Sequence, residues 1–154
     1  MPKRRDAIRM TDDEVWEFVE GQRSLQVATI NPDGTPHLST LWFAVVDRSI
    51  VFETFTKSQK IVNLRRDPRI TLLVEDGHAY EELRGAVLHG VAELHGDPEE
   101  VQHLAAAVMG RNTPGIPAEM LAEAAKRMSS KRTAVVLRPD RIVSWDHRKL
   151  AGSY

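Results

Sequence analysis

The sequence contains no cysteine. That removes disulfides, thiolate metal ligands and thiol nucleophiles together, and it fits a reducing compartment. An excess of one charge is missing too: 21 lysines and arginines stand against 22 aspartates and glutamates, for a formal net charge of -1. No global field therefore draws nucleic acid or anionic lipid to the chain, and any basic site has to be local. No apolar run approaches the roughly 20 residues of a membrane span. The basic opening MPKRRDAIRM leads into a charged segment instead of the apolar core of a signal peptide. From these absences we expect a cytoplasmic protein that meets neither membrane nor nucleic acid. Familiar catalytic signatures are lacking as well. There is no GxSxG elbow and no GxGxxG or GxxxxGK[ST] loop, and the six histidines (His37, His78, His89, His95, His103, His147) show no HxxxH or HExxH spacing. Serine-hydrolase, Rossmann, P-loop and metal-centre readings are disfavoured, and no metal site is expected.

What is present reads as strands with a few short helices. At 154 residues, with neither an internal repeat nor a dividing linker, the chain is expected to form one domain over 1–154. Thr11 three residues before Glu14, followed by Val15, Phe18 and Val19 on one face, predicts a capped helix over 11–20. LQVATI, Asn31-Pro32-Asp33-Gly34 and the alternating run from Pro36 to Val46 form a hairpin signature. Asp47-Arg48-Ser49 marks a second turn, and Ile50 to Phe55 a third strand. A helix is expected from Thr56 or Ser58 to Asp67, where Pro68 stops it. Ile70 to Glu75 is a fourth strand. Arg84 to His95 is a fifth, with Gly85 and Gly90 suggesting a bulge or bend. Asp97-Pro98-Glu99-Glu100 opens a helix toward Val108, Gly110 to Pro117 is a loop, and Ala118 to Met128 a further helix. Thr133 to Trp145 is the last strand, interrupted at Arg138-Pro139-Asp140. The expected fold class is mainly β, a six-stranded antiparallel barrel, closed or nearly so, with short helices.

One segment concentrates chemistry. Thr54 to Asn63, TFTKSQKIVN, joins a strand end to a helix N-terminus, where free amides and the helix dipole favour an anion. Lys57 and Lys60 add charge, and Thr54, Thr56 and Ser58 supply hydroxyl donors. Two readings stand side by side: a phosphate site, or a Ser58 that merely caps its helix beside solvated lysines. The segment Trp145 to Lys149 is equally open, as a surface terminator or as an aromatic cap over a neighbouring subunit's pocket.

Beyond these local readings, the sequence resembles the split-barrel flavin and deazaflavin oxidoreductases, the superfamily that includes pyridoxamine 5'-phosphate oxidase. The resemblance is carried by VATINPDGTPHLSTLWFAV, by IVFETFTKSQKIVNLRRDPRITLLVED, by GAVLHGVAEL and by VVLRPDRIVSWDHRKL, with KxxNLRRDPR its most specific string. It implies an FMN-binding split barrel and a homodimer with two coenzyme sites at the subunit interface. Thr54, Ser58 and Lys60 match phosphate-binding positions, and Asn63 falls in the KxxN string. Ser39, Thr40, Leu41 and Trp42 are implied to lie along the ring system, while Trp145, His147 or Arg148 approach from the other chain. The sequence departs from the oxidase pattern where cations are expected, with Ser39, Ala44 and Gln59 in their places. It looks most like the branch, found mainly in actinobacteria, that uses the deazaflavin F420. That branch keeps lysines such as Lys57 and Lys60, and Arg65 or Arg66 would form a basic rim for the longer anionic tail.

The resemblance thus implies an F420-dependent oxidoreductase that passes a hydride to an electron-poor double bond of a small molecule. Its alternatives are an FMN-dependent oxidase or reductase, a non-catalytic coenzyme-binding protein, and a structural barrel without coenzyme. No catalytic acid or base is singled out.

Overall fold

The computed structural model describes residues 3–150; of the domain expected over 1–154, residues 1–2 and 151–154 lie outside the described residues. The chain runs α1 (Arg4–Ala7), α2 (Asp12–Glu20), β1 (Ser24–Ile30), β2 (Pro36–Trp42), β3 (Ala44–Val46), β4 (Ser49–Phe55), α3 (Gln59–Arg66) and β5 (Arg69–Asp76). It continues through β6 (Arg84–Val91), β7 (Glu93–His95), α4 (Pro98–Asn112), α5 (Ala118–Ser129), β8 (Arg132–Leu137) and β9 (Arg141–Asp146). None of these helices is long and apolar enough to cross a membrane.

The local signals act as their chemistry requires. Thr11 accepts the Glu14 amide while the Glu14 carboxylate accepts the Thr11 amide, a reciprocal cap that starts α2. Asp97 accepts the amides of Glu99 and Glu100, with Pro98 in the first turn of α4. The β1–β2 loop closes through Gly34 at φ +85, a backbone conformation that suits glycine. The two-residue β3–β4 turn places both Asp47 and Arg48 at positive φ, matching the twist of the strands it joins.

The sheets depart from the expected six-stranded barrel. All pairings are antiparallel, but they form a five-stranded sheet, β2-β1-β5-β6-β9, and a four-stranded sheet, β3-β4-β8-β7. No ladder among the described residues joins the two, so hydrogen bonds do not close a barrel. Three of the expected long strands pass from one sheet to the other and break at the crossing, at Phe43, at Ala92 and at Arg138-Pro139-Asp140.

At each break a backbone group freed from the ladder is answered elsewhere. The Phe43 carbonyl accepts from Arg111 at 3.2 Å and from Asn112 at 3.1 Å. The Ala92 amide donates to the Pro68 carbonyl at 2.8 Å, and the Asp140 amide to the His89 carbonyl at 3.0 Å. The bulge suggested for Gly85 and Gly90 does not form, since both pair in regular register with β5. They are needed for close approach instead: a Cβ on Gly85 would lie 2.3 Å from the Trp145 ring, and one on Gly90 2.7 Å from Leu137.

Between the sheets lies one apolar core that includes Leu25, Val27, Phe43, Ile50, Phe52, Leu72, Leu88 and Leu137, joined by Val15, Phe18 and Val19 of α2 and by Ile61 and Leu64 of α3. At roughly 1.5–3 kcal/mol for each such side chain fully removed from water, this burial dominates the stability of the fold. Helices α4 and α5 cover the other face of the four-stranded sheet, where Val108 of α4 packs on Ala44 and Val51.

Candidate functional site

The site follows from the way the sheets part. Strand β3 pairs with β4 through Ala44↔Val51, Val45↔Ile50 and Val46↔Ser49. Continuing that register past Phe43 would set Trp42 opposite Glu53, Leu41 opposite Thr54 and Ser39 opposite Thr56. Those pairs do not form, because β2 turns away to pair with β1 through Val27↔Ser39 and Ser24↔Trp42. A split opens between β2 and β4, with 39–42 along one wall and 54–58 along the other. Of the two stretches named from the sequence, Leu41 and Trp42 share a cavity with Glu53, the residue before Thr54.

The corner of this split is poor in internal partners. Ser58 is the N-cap of α3, yet its hydroxyl makes no capping bond; the oxygen is buried and has no hydrogen-bond partner among the described residues. The Ser39 hydroxyl and His37 Nδ1 on β2 are buried and unpartnered in the same way. Leaving such groups unmet costs about 1–3 kcal/mol each, so each is open to an acceptor or donor from a ligand. The first amides of α3 add donors that the helix cannot satisfy itself.

Lys60 lies within this corner. Its ammonium is 3.5 Å from Thr54 Oγ1, and no carboxylate among the described residues pairs with it. Burial pushes its pKa below the ordinary lysine value, as for a cation short of a counter-charge. Thr54 is itself buried, whereas Lys57 is exposed just beyond. The Thr56 hydroxyl is already engaged, 2.9 Å from that of Thr133.

Asn63 belongs to the scaffold of the corner. Its amide donates to Thr29 at 3.0 Å and Asn31 at 3.1 Å, and its oxygen accepts from Gln59 at 2.9 Å and Arg66 at 3.4 Å. Both donors and both lone pairs are therefore occupied, which pins α3 to the β1–β2 hairpin. Arg65 and Arg66 are both exposed, and Arg66 also reaches the Ile30 carbonyl.

Residues 11–146 match the family model described as pyridoxamine 5'-phosphate oxidase. The chain belongs to this family. Among solved structures it is similar to a conserved hypothetical protein from Mycobacterium tuberculosis, at 44% identity over 97% of this chain and 93% of that one, with a TM-score of 0.90. Two more distant likenesses bear on the fold alone. One is to an F420 reductase, at 22% identity over 92% and 98% of the two chains, with a TM-score of 0.60. The other is to a FAD and heme binding protein from Mycobacterium smegmatis, at 20% identity over 88% and 71%, with a TM-score of 0.72.

Within the oxidase family's frame, the three departures noted in the sequence take on physical content. Ala44 is buried against Val51 and offers no polar atom. The Gln59 amide is committed to Asn63, and Ser39 offers only its hydroxyl. None of the three supplies a cation to the split.

Trp145 and His147 are not brought to this corner within one chain. Trp145 lies on β9, the edge of its sheet opposite β2, with its ring over Gly85. His147 Nδ1 is 2.8 Å from the Tyr80 carbonyl and its ring packs on that of Tyr80 at 4.5 Å. Arg148 is held by Asp146 through bonds of 2.9 and 2.6 Å. Any role for them at a coenzyme belongs to a second chain's site. Sequence reasoning missed His37 and the diagonal cross-strand pair Glu53 and Arg132, whose side chains meet at 2.6 Å although 79 residues apart. No local spacing announces a contact of that range.

Proposed function

We propose that the protein is a homodimeric oxidoreductase that binds F420 in preference to FMN and reduces an electron-poor double bond of a small molecule. The observation that carries this reading is the buried hydroxyl of Ser58 at the start of α3, unpartnered among the described residues, two positions before the desolvated Lys60, with the equally unpartnered hydroxyl of Ser39 on β2. A phosphate ester fits that donor set: its oxygens would accept from the Ser58 hydroxyl, the first amides of α3 and Lys60, a charge-assisted arrangement. Thr54 holds Lys60 in place from below. Residues Ser39 to Trp42 on the opposite wall would flank the ring system, with Trp145 and His147 approaching from the second chain.

The preference for F420 rests on charge. Three cations of the FMN pattern are replaced by Ser39, Ala44 and Gln59, while exposed Lys57 and Arg65 extend the positive charge outward, where a longer anionic tail would run. Reduced deazaflavin supplies hydride chemistry; the chain's own residues bind, orient and exclude water. No side chain among the described residues is singled out as the acid, so the completing proton is assigned to solvent or to a nearby lysine, arginine or histidine.

The homodimer rests on the outer face of the five-stranded sheet. Leu38 and Val91 there are 68% and 55% exposed, beside Ile30, Leu73, Val87 and Val143.

The test is a side-by-side titration of the protein with F420 and FMN. We expect tighter binding of F420, weakened by about 1.5–3 kcal/mol in Lys60→Ala as one charge-assisted contact is lost. Tighter FMN binding would move the protein to the FMN branch, and binding with no oxidation of reduced F420 by any acceptor would make it a carrier. No binding of either coenzyme, with Lys60→Ala indistinguishable from the parent, would remove the reading altogether.

A further inference from the structure

Next to the split, at the end of β2, lies a second cavity of about 350 Å³ that the phosphate corner does not use. Leu41 and Trp42 form its near wall, Val108 and Met109 of α4 and Met128 of α5 the far one. Its polar end is built from Glu53 and Arg132, diagonal neighbours on the paired strands β4 and β8, where Glu53 stands opposite Ala134 and Arg132 opposite Phe55. Arg132 Nη1 donates to Glu53 Oε2 at 2.6 Å, and the guanidinium lies over the Phe55 ring at 4.4 Å. The Glu53 side chain is only 8% exposed.

A shielded ion pair of this kind is weak evidence for stability, because well-packed apolar residues of similar volume often do as well. Here the pair has a second property. Glu53 engages one nitrogen of Arg132, and the remaining N–H groups of the guanidinium have no acceptor among the described residues. The pair is neutral as a whole, so it offers no net charge to an ionic ligand, yet it presents directed donors to an oxygen. The other walls are apolar, and the two thioethers adapt their shape to what they contact. The volume is at the small end of the range for small-molecule sites, about 300–1,000 Å³. It suits one or two rings and is too small to enclose a tetrapyrrole.

The geometry points to this cavity as the acceptor subsite, taking a compact, uncharged, conjugated carbonyl compound whose oxygen meets Arg132 and whose ring lies between Trp42 and Met128. Its place in catalysis rests on the coenzyme reading above, while binding itself does not. Trp42 belongs to both the ring wall of the split and the mouth of this cavity, which sets an acceptor beside the coenzyme without sharing the phosphate corner.

The probe is 1,4-naphthoquinone, read by quenching of tryptophan emission in the coenzyme-free protein, with 1-naphthoate as the anionic arm and haemin as the oversized one. We expect saturable quenching that is absent in Trp42→Phe, that needs at least tenfold more quinone in Met128→Phe, and that weakens several-fold in the double variant Glu53→Gln/Arg132→Gln. The double variant keeps the buried pair free of an unmatched charge, and circular dichroism checks its fold. Naphthoate should bind at least tenfold more weakly than the quinone. Unsaturable quenching, quenching unchanged in Met128→Phe and the double variant, or equal competition by naphthoate or haemin would overturn the assignment. F420 titration of Met128→Phe, expected within twofold of the parent, separates the two proposals. Loss of coenzyme binding in the parent with quinone binding intact would sink only the coenzyme reading, and the reverse result only this one.

Discussion

Ser58 is the residue whose behaviour most sharply separates a structural from a functional role at the strand-to-helix corner. A serine at an N-cap ordinarily accepts an amide of the first turn, and replacing it by alanine then costs about 0.5–2 kcal/mol. Here the hydroxyl makes no such bond and has no other partner among the described residues. The unliganded protein should therefore tolerate Ser58→Ala within about 0.5 kcal/mol, or gain slightly, since a buried unmet hydroxyl is removed. Affinity for the phosphate-bearing coenzyme should fall by about 1 kcal/mol in the same variant. Urea denaturation and coenzyme titration read the two effects separately. A large loss of stability with unchanged affinity would make Ser58 an ordinary cap and leave the corner without its most direct donor. Thr11 gives the internal comparison: its capping bonds are formed, so Thr11→Ala should destabilise within the usual range for a cap.

At the scale of elements, the fold depends on how strands survive being bent from one sheet into the other. Arg111 holds the Phe43 crossing together. Its guanidinium donates to the carbonyls of Phe43 at 3.2 Å, Val19 at 3.3 Å and Glu20 at 2.6 Å and to that of Gln22, and lies 4.4 Å from the Phe43 ring. One side chain thus caps the C-terminal end of α2 and answers the freed carbonyl at the strand break. Arg111→Met should keep the aliphatic packing and lose these bonds, lowering stability by about 2–4 kcal/mol in urea melts. A change below about 0.5 kcal/mol would show that Asn112 alone suffices at Phe43. This crossing also marks what the sequence could and could not say. The alternation from Pro36 to Val46 is continuous, so periodicity reads one strand where the chain makes β2 and β3, and the partner that stabilises the break is 68 residues away. Caps and tight turns were legible because their chemistry is local: Thr11 with Glu14, Asp97 with Pro98, Gly34. Helix α4 ran through Gly110 to Asn112 because packing outweighs the weak helix propensity of one glycine. Gly85 looked like a bulge for the same reason that its actual neighbour, Trp145, is out of reach of sequence spacing. The candidate site was named as two stretches, 54–63 from its residues and 39–42 from the resemblance, but not as a split between them, since that requires knowing that the chain leaves β4 at Phe43.

The two sheets are unequally covered at the scale of the whole molecule. Helices α4 and α5 lie over the four-stranded sheet, whereas the outer face of the five-stranded sheet shows exposed apolar side chains such as Leu38 and Val91. A face of that kind is where a second copy of the chain would dock in the proposed dimer. His89 stands on it, 3.0 Å from Thr71 and paired across the strands with Arg141. Burial, with the Arg141 charge adding to it and Asp140 opposing, holds the His89 imidazole below the ordinary histidine value. Its neutral form is thus the one the fold favours. The penalty for protonating it is absent well above the unfolded value of about 6.5, and grows as the pH falls from there through the lowered folded value. A second chain over this face would bury His89 further and steepen the effect, because a new cation would then be trapped beside Arg141. Sedimentation velocity at low micromolar concentration should find a dimer at pH 7.5 and several-fold weaker association at pH 5.5. His89→Gln, which keeps a hydrogen-bonding group opposite Thr71 but cannot titrate, should associate equally at both. A monomer at pH 7.5 would leave the face without its proposed occupant. Equal acid weakening in His89→Gln would move the sensitivity to other groups and return His89 to a merely structural position.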